Sequence, residues 1–109
     1  MSATGISAGA DGTTSGATAT VTNPTGEYYA GVTFIGGHTD AASLIQVLDG
    51  DDTVLHEFHL DGTVAKGFQV DIPDGLWSQT AGSDIKGKIV TSTADCHVTI
   101  SGRLASAKI

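Results

Sequence analysis

The chain has 109 residues, 15 of them Gly and only 2 Pro, with 16% charged residues and a formal net charge of −7. That length suits one domain with a real but small core. An acidic surface repels phosphate backbones and offers anionic lipid no basic patch, so no nucleic acid and no membrane are expected as partners.

High Gly and Thr with few Lys and Glu disfavour helices and favour strands joined by tight turns. Met1 to Gly16 is, apart from Asp11, Gly, Ser, Ala and Thr, with Ile6 as the one large apolar side chain besides Met1. It lacks the basic and apolar regions of a secretory signal, so the chain is expected to be made in a cytoplasm. Its apolar surface is too small to offset an ordering cost of about 1–2 kcal/mol per residue. Residues 1–16 are therefore predicted to form an arm that is mobile alone and orders only against another subunit or the capsid, ahead of a sandwich domain over 17–109.

Ala17 to Thr22 alternates Ala, Thr and Val as a first strand, and Asn23-Pro24-Thr25-Gly26 turns the chain. Tyr28 to Ile35 is the second strand, with Tyr28, Ala30, Val32 and Phe34 of one parity; Gly31 marks a bulge. Gly36 to Asp40 reads as a loop. Ser43 to Leu48 is the third strand, and its near-continuous apolar run suits a central position. Asp49-Gly50-Asp51-Asp52 turns into a fourth, where Val54, His56, Phe58 and Leu60 share a face. The fifth has Phe68, Val70 and Ile72 inward, and a loop over Gly75 to Asp84 holds Trp77. Ile85 to Thr91 is the sixth. The seventh has Cys96, Val98 and Ile100 inward and His97, Thr99 and Ser101 outward.

About seven short strands at this spacing predict an all-β fold, a small antiparallel β-sandwich of immunoglobulin-like or jelly-roll-like type, with a closed barrel as the alternative. The predicted core is Val32, Phe34, Ile45, Val47, Val54, Phe58, Phe68, Val70, Ile72, Ile85, Ile89, Val98 and Ile100. Cys96, the one cysteine, shares their parity and is read as a small apolar core residue.

The candidates for chemistry are few. His56-Glu57-Phe58-His59 is one residue short of a helical zinc-protease box, and on a strand its two histidines face opposite ways. The Asp49 to Asp52 turn lacks the further oxygens of a calcium loop. No nucleophile, base and orienting group assemble from the spacing. No catalytic residue, metal or cofactor is expected. Tyr28, Tyr29 and Trp77 are the aromatics that bear on binding. Trp77 serves either as a plug over the open end of the core or as a stacking platform for sugar.

The hairpin Ile45-Gln46-Val47-Leu48-Asp49-Gly50, the run Phe68-Gln69-Val70-Asp71-Ile72-Pro73, the turn Thr80-Ala81-Gly82-Ser83-Asp84-Ile85 and the closing Val98-Thr99-Ile100-Ser101-Gly102 resemble the small β-rich virion proteins of phage structural gene clusters. The resemblance covers about 60 residues and is a pattern of turns. It implies a non-enzymatic capsid decoration, or cement, protein that binds the major capsid protein or other virion proteins. It also implies a homo-oligomer, dimer or trimer, located in the virion after assembly in the host cytoplasm. The alternative is a carbohydrate- or receptor-binding sandwich of a fibre or tail. Trp77, Tyr28 and Tyr29 separate the two: buried or at a protein interface in the first, exposed and coplanar in the second.

Overall fold

The computed structural model describes residues 4–12, 16–23, 26–39, 43–60, 66–90 and 95–105. They form eight strands: β1 (Thr4–Gly12), β2 (Ala17–Val21), β3 (Tyr29–Thr39), β4 (Ser43–Asp49), β5 (Val54–Leu60), β6 (Lys66–Trp77), β7 (Ile85–Ile89) and β8 (Cys96–Ala105). No helix occurs among the described residues. Two antiparallel four-stranded sheets result, a first in the order β1-β8-β3-β6 and a second in the order β2-β7-β4-β5. The all-β sandwich read from the alternation is the fold of the chain.

The inner faces meet through Val32, Ile35, Val98 and Ile100 of the first sheet and Ile45, Val47, Ile85 and Ile89 of the second, each 1% exposed or less. Gly87, at the middle of β7, lets them approach. A Cβ there would lie 2.3 Å from Ile100 Cγ2 and 3.2 Å from Ile35 Cδ1. Cys96 is buried at the parity expected of it.

Five local readings change. The eighth strand comes from the segment read as an arm: Thr4–Gly12 pairs with β8 of its own chain from Thr4↔Leu104 to Gly12↔Cys96 without a break. Ile6, Ala8 and Ala10 alternate inward and pack against the core, so small residues suffice where the backbone ladder carries the strand. Val54, expected in the core, is 44% exposed. The β4–β5 register shifts between Val47↔His56 and Leu48↔Val54, and this irregularity turns Val54 outward. Phe34, also expected in the core, is half-buried, because register shifts between Val32 and Phe34 on both sides of β3. Ile35 takes the inward place, and Phe34 lies over Gly36, where a Cβ would come 2.7 Å from its ring tip. The chain stays extended where loops were read: β3 runs through Gly36, Gly37 and His38, and β6 through Pro73 to Trp77. Phe58, Phe68, Val70 and Ile72 are partly buried against the core rather than inside it.

Candidate functional site

The outer face of the first sheet gathers the notable side chains in rungs across its strands. The turn after β6 sets one end of that face. Ser78, fully buried, donates its N–H to Ala30 O at 2.8 Å and accepts the Ala30 N–H on Oγ at 3.1 Å. Gly82 N–H donates to Tyr28 O, as does Asn23 Nδ2, both at 2.8 Å. These bonds hold the entry to β3 in one position. Tyr28 packs against the core, while Tyr29 is half-buried and begins β3 opposite Ala105.

The next outward position of β3 is Gly31, which pairs with Trp77 on one side and Arg103 on the other. The indole lies over Gly31: a Cβ would sit 2.7 Å from the ring. Trp77 Nε1–H donates to Asp74 O at 2.9 Å, and the Arg103 guanidinium carbon is 5.5 Å from the ring centroid, a cation–π distance. Arg103 Nε is buried without a hydrogen-bond partner. Trp77 is thus neither a plug over the end of the core nor a free-standing platform. It is a half-buried slab fixed flat on the sheet.

At the other end of the face, Asp11, His97 and His38 share a rung across β1, β8 and β3. Asp11 Oδ1 is 2.7 Å from His97 Nδ1, and His97 Nε2 is 2.7 Å from Thr99 Oγ1. The His38 ring stacks on His97 with centroids 6.3 Å apart and planes 20° apart. Beside them a cavity of about 510 Å³ is lined by Asp11, Gly12, His38, Asp95 and Cys96. The spacing of the sequence missed this relay, because Asp11 and His97 stand 86 residues apart. Only the outward parity of His97 was legible.

The relay has the connectivity of an orienting acid, a base and a hydroxyl nucleophile. Its surroundings oppose that role. The Asp11 side chain is 89% exposed, so water screens it. β8 is an inner strand paired on both sides, so its N–H groups are committed to the ladders with β1 and β3 rather than aimed at an oxyanion. As built, the relay ties edge strand β1 to β8.

His56 and His59 do not join this face; they lie on β5 of the second sheet. Among the described residues no three His, Cys, Asp or Glu gather as a metal site. The acidic turn satisfies itself. Asp49 Oδ1 accepts the Gly50 N–H at 2.9 Å, Asp51 Oδ1 accepts the Thr53 N–H at 3.0 Å, and Asp52, at φ 70°, pairs with Lys86 at 2.8 Å. The hydrogen bonds from Thr53 hold the Asp51 carboxyl below the ordinary 3.8.

No protein-family model matches the chain, and no curated protein does. Among solved structures, the CBM36-1 domain of a multidomain xylanase from the hindgut metagenome of Trinervitermes trinervoides is similar at a TM-score of 0.43 and 14% identity. The match covers 93% of this chain and 78% of that one. At that TM-score the likeness carries no argument for the site. The two-sheet arrangement rests on this chain's own strand pairing.

Proposed function

We propose that the protein is a non-enzymatic virion structural protein of capsid decoration type, which docks on the major capsid protein or another virion protein through the outer face of the first sheet. Membership of a particle comes from the resemblance in turn pattern. The observation that carries protein docking is the rung Trp77–Gly31–Arg103, with Tyr29 beginning the strand that holds it. Trp, Tyr and Arg are the side chains that dominate binding energy at protein interfaces. Here Trp77 is already immobilised against Gly31 and by its bond to Asp74, so docking costs less side-chain entropy. Tyr28 packs against the core, so Tyr28, Tyr29 and Trp77 do not form the exposed coplanar set that the carbohydrate-binding alternative requires. This favours the decoration reading over the carbohydrate-binding one. The protein then acts as a dimer or trimer on the particle.

The test is a density gradient of lysate from particle-producing cells. The native protein bands with the particles, and Trp77→Ala and Arg103→Ala, still folded by circular dichroism, remain at the top. Particle binding by both variants, or saturable quenching of Trp77 fluorescence by an oligosaccharide, moves the assignment to the carbohydrate-binding alternative or away from this face.

A further inference from the structure

Four strands end the two sheets: β1 and β6 in the first, β2 and β5 in the second. An edge strand offers a row of unpaired N–H and C=O groups, and proteins blunt such rows with charges, Pro, irregularities or short length. Three of these edges are blunted. β6 carries Pro73 between exposed Asp71 and Asp74, where its register with β3 breaks. β5 has its own register shift and exposed His56, Glu57 and His59. β2 has only five residues. β1 has nine residues in unbroken register, without Pro or Lys, and with Asp11 as its one charge.

We propose that β1 is the self-association edge of the protein, and that two copies pair their β1 strands antiparallel about a two-fold axis through Ala8. This joins two first sheets into one eight-stranded sheet. The inference deepens the oligomer part of the proposed function and does not use the Trp77–Arg103 rung.

The partner is a second copy because β1 complements itself. Ala8 is the midpoint of Thr4–Gly12, so this register pairs the whole strand. Residue numbers of opposite partners then sum to 16: Ile6 faces Ala10, Ser7 faces Gly9 and Ala8 faces Ala8. Parity is kept, so the inward row Ile6, Ala8, Ala10 continues as one apolar strip across the axis, and the outward row is small. Asp11 faces Gly5 of the other copy and not its own counterpart, so two chains of charge −7 meet without like charges opposed at the junction.

That register gives the test its handle. Gly5 has open space where a Cβ would stand, so substitution there leaves the fold intact. Within its own chain Gly5 lies opposite Arg103; across the proposed axis it lies opposite Asp11. Gly5→Asp therefore gains attraction inside the chain and adds two repulsive pairs between copies, and Gly5→Lys does the reverse. Sedimentation velocity of the full chain, from micromolar to millimolar, reads the outcome. The expected result is a reversible dimer, its dissociation constant raised roughly two- to thirtyfold by Gly5→Asp and lowered by a similar factor by Gly5→Lys. Both effects shrink at high salt, and the thermal midpoint of the monomer moves the opposite way.

A monomer at all concentrations, a trimer, or a dimer indifferent to both substitutions overturns the proposal; the first of these leaves the edge to a strand of another protein or to no partner. A dimer lost in Trp77→Ala also overturns it. If the Gly5 variants behave as stated while Trp77→Ala still binds particles, only the docking reading fails.

Discussion

The outer faces of the two sheets differ although their inner faces share one core. On the second sheet, Thr18, Lys88, Gln46 and Glu57 form one rung and Thr20, Lys86, Leu48 and Val54 the next. Gln46 Nε2–H donates to Glu57 at 3.0 Å, and Lys86 pairs with Asp52, whose side chain is 72% exposed. Apart from Leu48, which is 4% exposed, this face is solvated, and each of its polar pairs contributes little. On the first sheet, a Trp–Gly–Arg rung stands at one end and an Asp–His–His rung at the other. Between them lie the Phe34 ring over Gly36 and small side chains such as Gly9 and Thr99. Core packing constrains only the inner face of a sheet. The outer faces are free to diverge, and here the fixed aromatic and cation stand on one of them.

The shared core gives the largest expected effect. Ile100→Ala should cost about 2–5 kcal/mol in chemical denaturation, since Ile100 is fully buried opposite Gly87 of the other sheet. A loss below about 1 kcal/mol would mean that the sheets do not pack face to face through this residue. Gly31→Ala comes next. Its Cβ meets the Trp77 ring, so the indole must lift, at about 1–3 kcal/mol, with a red shift of its fluorescence. The comparison fails if the emission stays unchanged.

Smaller effects divide the faces more finely. His97→Ala removes the ties to Asp11 and Thr99 and should cost about 0.5–1.5 kcal/mol. It should also speed amide exchange in β1 ahead of the other strands. Lys86→Ala, on the second sheet, should cost about 0.2–1 kcal/mol; a larger loss than for His97→Ala would reverse the contrast. Smallest is a pH effect at Asp51. Its carboxyl titrates below 3.8 in the folded chain, so its contribution is present above that value and lost as pH falls through the folded pKa. Asp51→Asn should lower stability slightly at pH 7, flatten the acid limb of the stability profile, and converge with the parent chain at acid pH.

Particular residues show how far the sequence reaches. Alternation located strands around Ile45, Phe68, Ile89 and Val98. Turn residues located the reversal at Asp49 and the part of the Gly75 to Asp84 loop that follows Trp77; the turn read at Asn23-Pro24-Thr25-Gly26 includes residues outside the described ones. Alternation also turned Cys96 inward and His97 outward. These are local facts, because side chains on a strand alternate with a period of two whatever the partner strand. Val54 and Phe34 escaped it, since a bulge resets parity and arises in the register between two strands. Thr4 to Gly12 escaped it too. So few large apolar residues do not announce a strand, and its ladder with β8 is supplied from 84 or more residues away. The sequence by itself determined the all-β class, the turn at Asp49 and most of the inward-facing residues. Tertiary structure alone decided that Trp77 lies on Gly31 beside Arg103, that Asp11 meets His97, and that β1 ends a sheet. Each of those depends on which strands become neighbours, a choice made by long-range pairing and packing rather than by local period.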